Sequence, residues 1–255
     1  MADATAGLVN RPAWIDLSSS DPAASRAFYS KVFGWNIEVS PDPQYGGYAI
    51  AKIGEQDVAG IGGTQSPEQP TAWMLYIGTP DAEGLAARVR AAGGTVVAPA
   101  FDVGDQGRMA LFQDPAGAFI SAWQPRAMPG FGTGALNMFG WAELNARGID
   151  KAIPFYASVF GWSHKTSPMP GGPPYTEFQL DGESLAGGQD MNPMVPAEVP
   201  SYWMVYFSVD DIDGSFRTVI DAGGREMLPP MDYPGGRFAI VSDPQGAAFG
   251  LLKTR

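Results

Sequence analysis

Alternating segments and amphipathic segments follow one another along the chain in a fixed order. Residues 13–18 alternate between apolar and polar positions and contain Trp and Ile, which predicts a half-buried strand. Asp21 then supplies an N-cap, with a first-turn proline behind it, for a helix over residues 22–33 that Gly34 ends. Three short strand-like runs complete a β-α-β-β-β unit: 35–39, 47–53 and 57–61.

The same unit occurs four times. The second copy begins at Trp73, and its helix starts at Asp81 and stops at Gly93-Gly94. The third and fourth copies occupy residues 140–191 and 202–253. Four repeats of one supersecondary unit predict an α+β fold built from four βαβββ modules.

A longer repeat divides the chain into two halves. The segment from Trp14 to Trp35 recurs from Trp141 to Trp162, at an offset of 127 residues. A chain of 255 residues therefore predicts two domains of ordinary size, each large enough to bury a core. The segment between the halves is rich in Gly and Pro, which predicts a linker. The predicted boundaries are 10–125 for the first domain, 126–138 for a linker and 139–255 for the second domain.

Composition restricts the function classes. With 16 basic and 27 acidic residues the net charge is −11, which disfavours binding to nucleic acid or to anionic lipid. No apolar run is long enough to span a bilayer, and the N-terminal segment lacks the features of an export signal. Cysteine is absent, which excludes thiol catalysis and thiolate metal sites. These features predict a soluble cytoplasmic protein, and they leave its oligomeric state open.

Three motifs recur in both halves. They are an Asp followed by Phe-Tyr and Phe-Gly-Trp, a helix end at Gly-Gly, and a hairpin of the form Asp-Pro-x-Gly, found at 114–117 and 243–246. Together they resemble the vicinal oxygen chelate superfamily of glyoxalase I, bleomycin-resistance proteins and extradiol dioxygenases. The chain looks most like the tandem-domain, glyoxalase-like proteins of actinobacteria, which are often labelled hydroxylases. The resemblance implies two glyoxalase-like domains, each a curved mixed β-sheet that closes around a cup and is flanked by helices.

The resemblance also implies a divalent metal in each cup, held by His or Gln on the first strands and Glu on the last strands. Here the last strands carry Ser121 in the first half and Gly250 in the second. The one histidine, His164, has Ile37 as its counterpart in the first half. The first-strand positions are assigned to Trp14, Trp73, Trp141 and Trp203. Indole offers no lone pair to a metal, so we expect no metal centre and no cofactor.

These four tryptophans have two interpretations. Aromatic side chains on a sheet face are often core residues, and the four indoles would then only pack. Alternatively, they form a flat aromatic wall for a planar or apolar small molecule, with Ser121 as a further contact. The two interpretations are compatible, because the floor of a cup is both.

An acid follows two residues after the first tryptophan of each half: Asp16 after Trp14, and Glu143 after Trp141. Residues i and i+2 of a strand face the same side, so each acid should share its tryptophan's face. Desolvation there would raise the pKa of the acid and suit it to general acid or base catalysis. The alternative is a structural ion pair with one of two basic residues that recur in the halves and are also candidate ligand contacts, Arg108 and Arg237.

Three functions remain open from the sequence. In the first, a metal-free cup lined by Trp binds or processes a hydrophobic or aromatic small molecule, with Asp16 and Glu143 as acid-base groups. In the second, the protein is a metal-dependent glyoxalase-like lyase or a dioxygenase or hydroxylase. In the third, it is a non-catalytic interaction protein. The expected partner in the first two is a small-molecule ligand or substrate.

Overall fold

The computed structural model describes residues 8–169 and 172–255. Residues 1–7, on which the expectation of a missing export signal partly rests, lie outside the described part. None of the helices in the described residues is long and apolar enough to cross a membrane.

Each of the four modules consists of one strand, one helix and three further strands. The helices are α1 (Pro22–Phe33), α2 (Ala82–Ala91), α3 (Ile149–Phe160) and α4 (Ile212–Asp221). The strands of the first two modules are β1 (Pro12–Ser19), β2 (Asn36–Val39), β3 (Ala49–Ile53), β4 (Gln56–Gly63), β5 (Ala72–Gly78), β6 (Thr95–Val103), β7 (Gly107–Gln113) and β8 (Phe119–Pro125). Those of the last two are β9 (Phe139–Ala146), β10 (Ser163–Ser167), β11 (Tyr175–Leu180), β12 (Glu183–Asp190), β13 (Tyr202–Ser208), β14 (Arg225–Tyr233), β15 (Gly236–Ser242) and β16 (Ala248–Thr254).

The sixteen strands form two eight-stranded mixed sheets. The first sheet has the order β2-β3-β4-β1-β5-β8-β7-β6, and the second has the order β10-β11-β12-β9-β13-β16-β15-β14. In every module the first strand pairs in parallel with the fourth, whereas the second, third and fourth strands pair antiparallel. The predicted α+β fold of four βαβββ modules is confirmed.

Local chemistry explains where the helices begin and end. The side chains of Asp21, Asp81 and Asp211 each accept a hydrogen bond from a backbone N–H of the first turn. Helix α3 has Gly148 at its N-cap and no such side chain. Asp190 replaces the missing cap, because its Oδ1 accepts hydrogen bonds from the backbone N–H groups of Gly148 and Ile149. The carboxylate thus satisfies two backbone donors that the helix itself leaves unpaired.

The chain packs as two compact units that do not coincide with its halves. The first compact unit contains residues up to Trp14, Leu75–Gly130 and Ala142–Trp203. The second contains Ile15–Met74, Phe131–Trp141 and Met204–Arg255. Each unit therefore combines most of one module from the first half with most of one from the second. The boundaries 10–125, 126–138 and 139–255 stay a prediction from the sequence.

Each unit has its own aromatic core around a buried tyrosine. In the first unit the ring of Tyr156 stacks on Trp162 with centroids 5.3 Å apart and meets Trp203 edge-on at 5.4 Å. In the second unit Tyr29 stacks on Trp35 at 5.7 Å and meets Trp73 edge-on at 5.2 Å. Offset stacking and edge-on contacts are the preferred geometries of aromatic pairs, so these rings stabilise each unit beyond the area they bury.

Candidate functional site

The strands present two faces with different surroundings. Ser19 at the end of β1 lies 2.7 Å from Ser25 of α1, hydroxyl to hydroxyl, so the residues of β1 that alternate with Asp16 face the helix. Ile15 and Leu17 belong to that set and are fully buried. We call this side the helix face. The opposite side carries Asp16 in the first sheet and Glu143 in the second, and we call it the acid face.

The same division holds in β9. A Cβ on Gly188 of the neighbouring strand would lie 3.0 Å from Ile149 of α3 and 3.4 Å from Cβ of Leu144, which places Leu144 on the helix face. Glu143 and Trp141 therefore lie on the acid face, since successive residues of a strand point to opposite sides. By the same alternation Trp14 shares the acid face with Asp16. Trp14 is buried and Trp141 is partly exposed.

The other two tryptophans lie on the helix face, contrary to the expectation that all four line a cup. Trp73 Nε1 donates a hydrogen bond to the hydroxyl of Tyr29 in α1, at 3.0 Å. Trp203 Nε1 donates to the hydroxyl of Tyr156 in α3, at 2.8 Å. Both indoles are buried core residues. We expected them to contact a ligand from within a cup because each lies near the start of its module's first strand. Relative to the helix that follows, however, each lies one position earlier than Trp14 and Trp141 do, and this shift of one residue turns its side chain to the opposite face.

The shift brings other residues to the acid face of β5 and β13. Met74 and Tyr76 flank the helix-face residues of β5, and Met204 and Tyr206 do so in β13. By strand alternation both tyrosines lie on the acid face. A signal was present in the sequence. Asp21 follows Trp14 by seven residues, and the N-cap aspartates Asp81 and Asp211 follow Met74 and Met204 by the same seven, so counting back from the helix start would have matched these methionines to Trp14.

Ser121 lies on the acid face of β8, paired in parallel register with Tyr76. Its neighbours Ile120 and Ala122 are fully buried, and Gln124 of the same set accepts a hydrogen bond from the first residue of α2, which marks the helix face. Ser121 is itself fully buried, and its hydroxyl has no hydrogen-bond partner among the described residues. A buried hydroxyl without a partner is costly, which makes Ser121 a candidate contact for a bound molecule.

Gly250 replaces this serine in the second half. It pairs in parallel register with Tyr206, and a Cβ added there would overlap the ring of that tyrosine. The aromatic ring thus occupies the space that a side chain at position 250 would need. The acid face of the last strand is consequently polar in the first half and covered by a phenol ring in the second.

The two arginines face the helices and pair with acids of their own modules. Arg108 Nε lies 3.0 Å from Asp102 Oδ1, an ion pair in which the N–H does not point at the oxygen, and its guanidinium is 3.8 Å from Glu83 of α2. Arg237 binds Asp213 of α4 through two hydrogen bonds of 3.1 and 2.9 Å. The alternation in β7 and β15 places both arginines with fully buried helix-face residues. Neither therefore lies on the face of the acid that it was expected to neutralise.

Glu143 is the more enclosed of the two acids and is 9% exposed. Its Oε1 accepts hydrogen bonds from Asn145 Nδ2 at 3.3 Å and Gln189 Nε2 at 3.2 Å. Burial raises the pKa of Tyr202, and the negative charge of Glu143 raises it further, so the phenol and the carboxylate are electrostatic neighbours. A carboxylate with amide donors and a protonated phenol beside it forms the polar part of the acid face in the first compact unit.

Asp16 has smaller neighbours in the second compact unit. It pairs in parallel register with Gly60, and its Cβ would lie 3.1 Å from a Cβ placed on that glycine. The positions that correspond to Asn145 and Gln189 are Ser18 and Gly62. The two copies therefore keep the acid but differ in the hydrogen-bond donors around it, and Asp16 is partly exposed.

A buried Trp-Tyr-Asp chain in each unit was missed in the sequence. Tyr156 donates to Asp114 Oδ2 at 2.8 Å, and Tyr29 donates to Asp243 Oδ2 at 3.2 Å. Burial, followed by the charge of the aspartate, raises the pKa of both phenols well above the ordinary value. The recurrence of Phe-Tyr and Asp-Pro in both halves was the available signal. In each unit these three hydrogen-bonded side chains lie on the helix face, so they belong to the core and not to the acid face.

A divalent metal needs several nitrogen or oxygen ligands at one place. In residues 8–169 and 172–255, no three His, Asp or Glu side chains come close enough together to hold one. His164 is exposed on β10, and Asp190 caps α3. The first strands of the modules carry Trp14, Met74, Trp141 and Met204 on the acid face, and neither indole nor thioether is a suitable ligand for a hard divalent ion.

Comparison with known proteins gives the family. A family model described as Glyoxalase/Bleomycin resistance protein/Dioxygenase superfamily matches residues 11–121 and 138–251. The chain belongs to this superfamily, and the resemblance seen in the sequence is confirmed.

Two relatives match nearly the whole chain. It is 39% identical over 250 residues to a protein of Mycobacterium tuberculosis named "Putative glyoxylase CFP32", with 95% of this chain and 94% of the relative covered. It is 35% identical over 261 residues to the "Anthracycline biosynthesis protein DnrV" of Streptomyces peucetius, with 96% and 93% covered.

Solved structures share the fold at low sequence identity. The Mn(II)-bound glyoxalase from Novosphingobium aromaticivorans matches with a TM-score of 0.67 and 16% identity, covering 96% of this chain and 82% of the other. The 2,3-dioxygenase LapB from Pseudomonas sp. KL28 matches with a TM-score of 0.64 and 16% identity, covering 95% and 91%. At these identities the likeness concerns the fold.

Proposed function

We propose that this protein binds a hydrophobic, aromatic small molecule on the acid face of its sheets and processes it without a metal, with Glu143 and Asp16 as acid-base groups. The supporting observation is the setting of Glu143. It is a carboxyl group that is 9% exposed, accepts hydrogen bonds from two side-chain amides and lies beside a phenol. Enclosed carboxyl groups of this kind are candidates for proton transfer.

The chemistry asked of the acid is limited to moving a proton. A carboxylate that accepts a proton from an acidic C–H or O–H of the bound molecule, and then returns it to another atom, needs no redox partner. The amides of Asn145 and Gln189 hold the Glu143 carboxylate in one orientation, and such positioning is a major part of general base catalysis.

The side chains at the expected ligand positions support the metal-free form of the proposal. Where metal-dependent relatives are expected to use His, Gln or Glu, this chain has Trp14, Trp141 and two methionines on its first strands, and Ser121 and Gly250 on its last strands. Side chains of this kind suit an apolar or aromatic ligand better than they suit a divalent ion.

The relatives support an aromatic ligand. One is named an anthracycline biosynthesis protein, and anthracyclines contain planar fused rings. Tryptophan and methionine side chains on one face of a sheet match such a surface by stacking and by sulfur–aromatic contacts. We extend the proposal to a cytoplasmic location, in line with the acidic composition.

Ligand binding and metal content can be tested on the purified chain. Titration with an anthracycline should quench the tryptophan fluorescence to saturation, because Trp14 and Trp141 lie on the acid face. Metal analysis after dialysis against a chelator should leave binding and any turnover unchanged. A stoichiometric transition metal whose removal abolishes binding or turnover would overturn the metal-free form.

The role of the acid needs a separate variant. Glu143→Gln keeps the size of the side chain and a hydrogen-bonding oxygen but removes the proton-transfer group. It should abolish turnover of the bound molecule while changing the dissociation constant little. Glu183→Gln, at an exposed position in the same half, is the matched control. Equal rates for the Glu143→Gln variant and the native chain would remove the catalytic role.

A further inference from the structure

A tyrosine lies over a glycine beside the acid in both copies. In the second compact unit a Cβ on Gly60 would overlap the hydroxyl of Tyr48, and in the first unit a Cβ on Gly187 would overlap the hydroxyl of Tyr175. The space that any other residue's side chain would need is thus taken by a phenol oxygen. Neither glycine has a left-handed backbone conformation, so the requirement for glycine comes from the phenol and not from the chain geometry.

Strand register places each glycine next to the acid. Gly60 of β4 is the parallel partner of Asp16, and Gly187 of β12 is the parallel partner of Glu143. Neighbouring strands lie about 4.8 Å apart, and paired residues point to the same face. The Cβ of Asp16 lies 3.1 Å from the point at which the Gly60 Cβ would stand, and the Tyr48 hydroxyl oxygen lies close enough to that point to overlap such a Cβ. Each phenol oxygen is therefore within reach of the adjacent carboxyl group.

The arrangement recurs at a constant spacing while its surroundings change. Asp16, Tyr48 and Gly60 correspond to Glu143, Tyr175 and Gly187 at the offset of 127 residues. The neighbouring positions 18 and 62 hold Ser and Gly in the first copy, but Asn and Gln in the second. Both copies thus retain the acid, the tyrosine and the glycine, although the length of the acid and its amide donors differ.

We propose that Tyr48 and Tyr175 are positioning residues whose hydroxyl groups donate hydrogen bonds to the carboxylates of Asp16 and Glu143, and that Gly60 and Gly187 are required to admit the phenols. The chemistry assigned to the acids rests on the proposed function, whereas the acid–tyrosine pair itself does not. A donor to the ionised form favours the carboxylate over the protonated acid. The phenol therefore opposes the desolvation of the acid and keeps it available as a base.

The proton affinity of the acid is the direct test. The full chain, labelled with ¹³C at the Asp and Glu side-chain carboxyl carbons, is titrated by NMR, and the Glu143 signal is assigned by its loss in Glu143→Gln. In Tyr175→Phe the ring remains and only the hydroxyl is lost. We expect the Glu143 carboxyl to bind its proton about tenfold more tightly in that variant, because a hydrogen bond to a charged group is removed.

A phenol elsewhere is the matched control. Tyr233→Phe removes a half-buried hydroxyl on β14, away from either acid in sequence and register, and should leave the Glu143 titration unchanged. In the other copy the corresponding experiment is Tyr48→Phe, with the titration of the Asp16 carboxyl signal as the measurement. If the Glu143 signal titrates identically in Tyr175→Phe and in the native chain, the proposal is overturned, whatever the protein turns over.

The glycine is tested by a double-mutant cycle. Gly187→Ala should displace the phenol and shift the Glu143 titration in the same direction as Tyr175→Phe does, and Tyr175→Phe should then add little to it. Additive shifts from the two changes would overturn the role assigned to the glycine. Should the titrations shift as expected while Glu143→Gln turns over substrate at the native rate, the acid–tyrosine pair stands and the proposed catalytic function fails.

Discussion

The hydroxyl of Tyr156 donates a hydrogen bond to Asp114 Oδ2 at 2.8 Å and accepts one from Trp203 Nε1 at the same distance. Asp114 Oδ1 in turn accepts hydrogen bonds from the backbone N–H groups of Ala116 and Ala118. A helix, a first strand and an Asp-Pro hairpin are thereby joined through one buried phenol. Tyr29, Trp73 and Asp243 repeat the arrangement in the second compact unit.

Removing the phenol oxygen should destabilise the first unit. In Tyr156→Phe, Trp203 Nε1 and Asp114 Oδ2 each lose a buried hydrogen-bond partner, which should lower the free energy of unfolding by about 1–3 kcal/mol. Urea denaturation followed by circular dichroism measures the change. Tyr233→Phe, whose phenol is half-buried on β14, should have an effect below about 0.5 kcal/mol. Equal losses in the two variants would show that the Trp-Tyr-Asp chain does not contribute.

The same aspartates predict a dependence of stability on pH. Burial raises the pKa of Asp114 above its ordinary value of 3.8, although backbone hydrogen bonds and Tyr156 oppose the shift. Because the folded chain holds this proton more tightly than the unfolded chain, the contribution of Asp114 is full below pH 3.8 and is lost as the pH rises through the raised pKa.

A neutral isostere isolates this contribution. Asp114→Asn removes the titration but keeps the Oδ1 acceptor, so its free energy of unfolding should lack that part of the pH dependence. Relative to the variant, the native chain should lose stability as the pH increases from 3.8 toward neutrality. A difference that does not vary over this range, in urea titrations at several pH values, would contradict the raised pKa.

The unpaired hydroxyl of Ser121 can be compared with a paired one. Ser121→Ala removes a buried group without a partner, so we expect a stability gain of up to about 1 kcal/mol. Ser25→Ala removes a hydroxyl that lies 2.7 Å from Ser19 Oγ and donates to Gln245 Oε1, so it should cost about 1 kcal/mol. If Ser121 also contacts the bound molecule, its variant should bind an anthracycline more weakly. Similar losses of stability in both variants would show that Ser121 has a partner.

Arg147 holds the connection between β12 and β13. Its guanidinium donates hydrogen bonds to the backbone carbonyls of Val199 and Val195, at 2.9 and 3.4 Å. Arg147→Met should therefore loosen this segment, in which Met194 is 87% exposed, and increase its rate of cleavage by a broad-specificity protease several-fold. Arg90→Met, on the exposed surface of α2, is the control. An unchanged cleavage pattern would mean that the loop is held by other contacts.

Much of the fold was predictable because it is encoded locally. Asp21, Asp81 and Asp211 signal helix starts through their own side-chain chemistry, and Gly34 ends α1 in the left-handed conformation. The alternation of β1 and β9 likewise fixes Asp16 and Glu143 on the faces of their tryptophans. Such signals operate within a few residues, so they can be read without knowing what packs against them.

The site was predictable only in part, because a shift of one residue reverses the face of a strand side chain. Trp14 and Trp73 each lie near the start of a module's first strand, yet Trp14 lies on the acid face and Trp73 donates a hydrogen bond to a helix tyrosine. Arg108 and Arg237 were assigned to the acids from their recurrence, but the alternation of their strands directs them to acids near the helices.

The sequence by itself determined the number and type of the modules and the acid two residues after each first tryptophan, since periodicity and capping are local properties. Only the tertiary structure decided which tryptophans belong to the core, which partners the arginines take and which tyrosine lies over which glycine. Those relationships join residues that are distant along the chain, and they depend on strand register and on the packing of helices against sheets.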